Sequence, residues 1–403
     1  MTAPAGPHDK LPHFVSTAPF DPYSIERMTA DQERYFLASQ WRMMWWKLKR
    51  HHLAVVSGTI LLVMYTSILF SEMIAPYNLH SRFTDYIYAP PQRVHLFHDG
   101  KLEAPFVYGF HYSLDMDNLQ RVYTPLDGHT VPLGLTAPPP AQLQHLRFFC
   151  LGDRYEYMGL ITGSFHFVCP AKDGVLFLAG TDRLGRDMLS RIINGARISL
   201  TVGLIGVTIS FVLGIVIGGF AGYYGGWTDI VVQRMIEVLT SLPKLPLWLA
   251  LSAALPVNWS PILIYFGITI ILGLLDWTGL ARAVRSKLLS LREEDFCTAA
   301  QLMGASPSRI IARHLLPSFM SHLIASATLH IPAMILGETA LSFLGLGLRP
   351  PITSWGVLLN EAQNINVVVL YPWLMLPVVP VVIIVLAFNF FGDGLRDAAD
   401  PYK

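Results

Sequence analysis

Six long apolar runs constrain this chain more than any other feature: 53–74, 198–223, 230–255, 262–280, 319–341 and 367–391. A helix needs roughly 20 apolar residues to cross about 30 Å of hydrocarbon, so runs of this length predict helices that span a bilayer. Inside the bilayer each backbone N–H and C=O must find its partner within the protein, which leaves helix as the economical conformation. The third run, with Pro243 and Pro246, is the weakest of the six. Composition agrees: 52% of the residues are hydrophobic and 14% charged. The expected class is an all-α polytopic membrane protein.

Residues 1–52 read as a cytoplasmic tail and 53–74 as an anchor, not a cleaved signal peptide, because a long polar and aromatic stretch comes first. The end of that tail, RYFLASQWRMMWWKLKRHH, sets Trp41, Trp45 and Trp46 among Lys and Arg, the composition of an amphipathic segment lying on anionic headgroups. Flanking charge orients the bundle. Arg42, Lys47, Lys49 and Arg50 precede the first run; Arg282, Arg285, Lys287, Arg292, Arg309 and Arg313 follow the fourth. Basic residues favour the cytoplasmic side, and six crossings put both clusters and both termini there.

Segment 75–179 then lies outside. It is rich in Pro, Tyr, His and Phe, and alternating pieces such as RFFCLG and SFHFVCP predict a small β-rich insertion between the first two helices. Cys150 and Cys169 fall in it, either bridged or as two buried thiols, whereas Cys297 faces the reducing side. The insertion's histidines, His95, His98, His111, His129, His145 and His166, lack ligand spacing, so no metal site is expected.

Residues 180–197 read as an interfacial helix, with Leu184, Met188, Leu189, Ile192, Ile193 and Ala196 at helical spacing. The following run is studded with Gly203, Gly206, Gly214, Gly218, Gly219 and Gly222; such small residues let helices approach closely in lipid. Ionisable residues in apolar runs face a bundle interior or a wet cavity. Asp276, Glu338, Glu237 and Arg234 are therefore candidates for a translocation pathway, the last two also for a simple pair three residues apart.

Catalytic patterns are missing. There is no G-x-x-x-x-G-K-[ST] loop, H-E-x-x-H helix, G-x-S-x-G elbow or cysteine cluster, and His330 and Ser342 have no protease motif around them.

The loop 282–317 is too polar to span and too patterned to be a linker. Within DFCTAAQLMGASPSRIIARHLLPS a first short helix should begin near Leu291, with Glu293, Glu294 and Asp295 in its opening turn, and stop at Gly304. A second should take Ser306 as its cap and Pro307 as its first residue, and end before Pro317. Between them Ala299, Ala300 and Gly304 offer a smooth surface suited to docking another protein.

That pattern, A-A-x-x-x-G then I and L-P, resembles the EAA loop of ATP-binding-cassette (ABC) importer permeases, matched by Ala299, Ala300, Gly304, Ile311, Leu316 and Pro317. GTDRLGRDMLSRIINGARISL, ETALSFLGLGLRPPITSWGVLL and GDGLRDAADP are similar to the C-type subunit of dipeptide, oligopeptide and nickel importers, so the resemblance covers about 47–71 and 180–401. It implies a type I ABC importer permease fold with six transmembrane helices, 198–391 being the five-helix core and 392–403 a cytoplasmic tail. It also implies a coupling helix, here Thr298, Ala299, Ala300, Gly304, Ala305, Ser306 and Pro307, seated in a groove of a separate ATPase.

The partners so implied are a second homologous permease, two cytoplasmic ATPase subunits holding ATP and Mg, and an extracytoplasmic substrate-binding protein, in a bacterial inner membrane. This chain would itself be no enzyme and bind no cofactor, and would conduct short peptides or a similar polar solute. The alternative is a membrane-anchored receptor or scaffold whose insertion binds a ligand. Two departures stand out: Thr298 occupies the family's usual glutamate position, and the insertion exceeds the usual length.

Overall fold

The computed structural model describes residues 37–116, 120–157, 159, 161–256 and 258–399. Expectations for 1–36 and 400–403 lie outside the described residues. In chain order the helices are α1 (Gln40–Arg50), α2 (His52–Leu69), α3 (Ser71–Ile74), α4 (Met188–Tyr224), α5 (Gly226–Ser241), α6 (Lys244–Ala253), α7 (Pro261–Leu291), α8 (Asp295–Leu302), α9 (Pro307–Ile310), α10 (Met320–Phe343), α11 (Trp355–Asn360), α12 (Ile365–Leu370) and α13 (Val378–Ala399). Among the described residues five segments are helical, long and apolar enough to cross a membrane: α2, α4, α7, α10 and Pro372–Ala399, which contains α13.

The third apolar run is not one helix. Leu242 and Pro243 are extended (ψ 137° and 129°) and divide it into α5 and α6. A residue before proline is driven out of the helical region, so Leu242 ends α5. Neither piece alone has the length of a span.

The interfacial helix expected over 180–197 also differs. Residues 180–187 are not helical, and from Met188 one unbroken helix of 37 residues, α4, runs to Tyr224. Asp187 caps it by accepting a hydrogen bond from the Ser190 N–H at 2.7 Å. At about 1.5 Å per residue it is long enough to cross the bilayer and project beyond it. The last run starts later than the sequence suggests, because Pro372 and Pro377 separate α12 from α13, and it continues through Gly392 and Gly394 to Ala399. Those glycines pack against Leu329 and Ala54 and do not stop the helix.

α4 and α7 run in the same direction in tight contact. A Cβ at Gly214 would lie 2.9 Å from Leu280 Cβ, one at Gly218 2.8 Å from Ala281 Cα, and one at Gly222 2.9 Å from the Arg285 carbonyl oxygen. The pair α5 and α6 runs the opposite way along α7. Asp229 meets Arg285, Ile236 packs on Trp277 and Ala281, Lys244 meets Asp276, and Leu255 just beyond α6 lies beside Gly267. Gly203 packs instead on Ile331 and Ile335 of α10. α2 lies along α13, where Gly58 faces Phe391 and Tyr65 meets Phe388 edge-on at 6.1 Å. Arg197 ties α3 to α4 through Glu72 at 2.7 Å.

Among the described residues between α3 and α4 lie seven strands: β1 (His95–His98), β2 (Lys101–Tyr108), β3 (Phe110–Asp115), β4 (Gln120–Pro125), β5 (Leu143–His145), β6 (Arg147–Tyr157) and β7 (Ile161–Cys169). They pair antiparallel as β1-β2-β5, β3-β4 and β6-β7. Cys150 and Cys169 are disulfide-bonded across β6-β7, with Cα atoms 6.3 Å apart. Side chains bind this segment to the helix ends and loops next to it. Buried His166 bridges the Ala75 and Asp153 carbonyls at 2.7 and 2.9 Å, Tyr77 N–H donates to Ser190 Oγ, and Tyr88 stacks on Tyr371 at 4.1 Å. Among the described residues no three His, Cys, Asp or Glu gather as a metal site.

Candidate coupling and pathway sites

α8 begins at Asp295, with Glu294 as its cap, because α7 runs on to Leu291; the first short helix therefore starts later than the sequence suggests. It ends in a Schellman turn. Ala305 N–H donates to the Ala300 carbonyl at 3.1 Å and Gly304 N–H to the Gln301 carbonyl at 2.9 Å, with Gly304 at φ +77°. Ser306 is extended and Pro307 opens α9. The second helix does not stop before Pro317. A π turn, Ile311–Leu315, and the turn Leu316–Ser318 carry the chain to Phe319, where φ −128° breaks it. Proline lacks an N–H and crowds the carbonyl four residues back, and the wider π turn makes room for both.

The surface of this unit departs from the sequence expectation as well. Ala300 is buried, not presented. With Cys297, Ile310 and Leu315 it packs against Leu280, Val284 and Leu288 of α7 and Leu323 of α10. α8 is thereby joined to two long helices through close-packed side chains. What α8 presents is Thr298, Ala299 and three large apolar side chains, Phe296 (43% exposed), Leu302 (85%) and Met303 (81%). Sequence reasoning passed over these three; their signal was apolar side chains on a helix outside any span. Thr298 Oγ1 lies 3.5 Å from the Glu294 carbonyl, too long to contribute much.

Four ionisable residues were candidates for the pathway. Glu338 is fully buried, and its carboxylate accepts from Ser199 Oγ at 3.1 Å, Ser342 Oγ at 2.8 Å and Ser354 Oγ at 2.7 Å. The same serines accept from Trp355, Leu348 and Val357 N–H. Glu338 thus knits α4, α10 and α11 together, and burial withdraws it from any aqueous path within this chain. Arg234 and Glu237 pair at 2.7 Å on an exposed face of α5. Asp276, nearly buried on α7, binds Lys244 at the start of α6 and lies 3.2 Å from His330 Nδ1 on α10.

A further polar cluster lies in GTDRLGRD, which in the sequence reads as the start of an interfacial helix and as part of the family resemblance. Buried Asp182 binds Arg186 at 2.7 Å and also Arg191, and both arginines reach Glu361 at 3.4 Å. Asp187 donates nothing; its Oδ2 accepts from Ser190 N–H and Oγ, while its Oδ1 is buried without a partner. Burial pushes the Asp187 carboxyl up to about 6. Five charged residues within ten, 182–191, beside an apolar run were the available signal.

Comparison with known proteins adds ancestry to this geometry. Residues 214–402 match the family described as binding-protein-dependent transport system inner membrane component, and 39–91 match the N-terminal TM domain of oligopeptide transport permease C. The oligopeptide transport system permease protein OppC of Haemophilus influenzae is 41% identical over 234 residues, 58% of this chain and 72% of that protein. The dipeptide transport system permease protein DppC of Bacillus subtilis is 40% identical over 224 residues, 55% of this chain and 68% of that protein. The solved inward-facing MetNI methionine ABC transporter overlaps 53% of this chain and 98% of the matched chain, at 20% identity and a TM-score of 0.41.

Proposed function

The chain belongs to the family of binding-protein-dependent transport system inner membrane components, and from that premise we propose that it is a permease subunit of an ABC importer for oligopeptides or dipeptides. It forms half of a pathway across the bacterial inner membrane. A homologous permease supplies the other half, two ATPase subunits hold ATP and Mg, and a binding protein delivers substrate outside. None of that chemistry requires a catalytic group here.

The observation that bears most weight is the coupling unit: a capped helix, α8, whose buried face is locked to α7 and α10 and whose exposed face carries Phe296, Leu302 and Met303. We assign that face, with Thr298, Ala299, Gly304, Ala305, Ser306 and Pro307 around it, to the ATPase groove. Ala300 serves as the internal contact.

In our reading α5 and α6 together make a sixth, discontinuous crossing. Since α4 and α7 are parallel, the chain leaving Tyr224 must return the length of α7 before Pro261, and α5 and α6 lie along that route. Six crossings put the basic clusters around Lys47 and Arg285, and both termini, in the cytoplasm. The insertion 75–179 then walls the outer face where the binding protein docks.

Uptake of a labelled tripeptide tests the reading. Cells lacking this chain should lose uptake, regain it with the wild-type chain, and fail to regain it with Gly304→Asp inserted at wild-type level. Full uptake without the chain refutes the transport assignment; full uptake with Gly304→Asp refutes only the coupling one.

A further inference from the structure

Three side chains from three helices meet where α5 gives way to α6. Asp276 is near the middle of the 31-residue α7, His330 near the middle of the 24-residue α10, and Lys244 is the first residue of α6. Asp276 is 2% exposed, whereas Lys244 and His330 are 54% and 37% exposed. We propose that this cluster is a subsite within the membrane for the carboxylate of the transported solute, the C-terminal carboxylate of a short peptide. The inference rests on the peptide-permease reading and adds the recognised group and its place.

The cluster combines a withdrawn carboxylate with two partly exposed partners, Lys244 and His330. The two oxygens of Asp276 are engaged, one by Lys244 and one by His330, so its charge holds two donors in position and is not itself presented. An ammonium has three N–H donors; Asp276 takes one, and two remain for a ligand.

The helix break adds an independent element. The first N–H groups of a helix have no partner within it and form its positive end. At α6 the capping residue is Pro243, which supplies no side-chain acceptor, so the first backbone N–H groups, those of Lys244 and Leu245, have no side-chain cap. One turn on, the buried Trp248 indole N–H has no hydrogen-bond partner. Discontinuous helices near the midplane of a membrane are suited to hold anionic solute groups by this means.

The test uses the complete importer in proteoliposomes, with trialanine and trialanine amide each supplied on saturated binding protein. Lys244→Gln should lower trialanine uptake about tenfold or more, the loss of one charge-assisted hydrogen bond. Amide uptake and basal ATPase activity should stay within about twofold of wild type, and Lys244→Arg should restore trialanine uptake. Should Lys244→Gln fail to assemble, Lys244→Gln with Asp276→Asn leaves no unpaired charge and should show the same discrimination. Equal loss of both probes, or no loss of either in an assembled complex, makes the cluster a structural ion pair and overturns the subsite. Wild-type vesicles that import neither probe overturn the peptide reading itself.

Discussion

Glu338 accepts a hydrogen bond from Ser354 across 2.7 Å, joining α10 to the turn that opens α11. Ser199 and Ser342 complete the set, so the carboxylate is the common acceptor of three buried hydroxyls. Glu338→Ala leaves them without it, at about 1–3 kcal/mol for each group left unsatisfied. Thermal unfolding of the detergent-solubilised importer should show a large loss. Glu338→Gln keeps one oxygen for Ser342 and Ser354 and should cost much less. Equal destabilisation by both variants would contradict the hub.

The coupling unit separates folding from function. Leu302→Glu and Met303→Glu change side chains that are 85% and 81% exposed, so insertion and thermal stability should hold while ATPase binding and uptake fall at least about tenfold. Ala300→Leu puts extra volume into a filled cluster and should cost about 1–3 kcal/mol of stability. Pull-down of the ATPase subunits reads the first effect and thermal unfolding the second. A charged residue at 302 or 303 that leaves pull-down unchanged removes that face from the interface.

Helix contact in lipid makes a similar contrast among the glycines. At Gly222 a Cβ would meet the Arg285 carbonyl and Leu288 Cβ, both at 2.9 Å, and the former is backbone that cannot swing away. Gly222→Ala should therefore force α4 from α7 and cost about 1–3 kcal/mol. Gly219, whose nearest neighbour would be Ile311 Cγ2 at 3.7 Å, should accept alanine without loss. Measured unfolding of the two variants in detergent decides between close approach and mere helix propensity.

Much of this was legible in the sequence, for local reasons. The helix end at Gly304 and the helix start at Pro307 are set by a few adjacent residues, and the glycines of α4 signal close packing by their size alone. What escaped depends on distant partners. Leu242 reads as apolar whether or not Pro243 breaks the run, and only the contacts of Lys244 with Asp276 and His330 give that break a use. Glu338 looks the same in a sequence whether it faces water or three serines. Ala300 is buried, and Leu302, given no role in the sequence reading, is presented, because the rotation of α8 is fixed by packing against α7, which short-range pattern does not specify.

Asp187 gives the N-terminal end of α4 a pH dependence. Its folded value, about 6, lies above the ordinary aspartate value of 3.8, so between these the folded state holds a proton that the unfolded chain has released. Stability from this group is full below about 4 and is lost as pH rises to about 6 and beyond, by about 3 kcal/mol in all. The unpartnered Oδ1 is the natural seat for that proton. Asp187→Asn keeps an oxygen for the Ser190 cap and cannot ionise, so unfolding temperature against pH should flatten between about pH 4 and 6. A variant that retains the wild-type slope places the titration elsewhere.

The bridge between Cys150 and Cys169 tests topology as much as covalent structure. A disulfide persists on the oxidising side of the inner membrane and is reduced in the cytoplasm. If α2 carries the insertion outward, protein taken from cells under alkylating, non-reducing conditions should resist modification at both cysteines, while Cys297, buried in the coupling unit, becomes alkylated once unfolded. Closing a loop of this size is worth about 3 kcal/mol in the chain-entropy account, so Cys150→Ala with Cys169→Ala should loosen the insertion while leaving the helices inserted. Limited proteolysis from the outer face reads that loosening. Two freely alkylated thiols at 150 and 169 in the wild-type protein would remove the bridge, and with it this line of support for an outward-facing insertion.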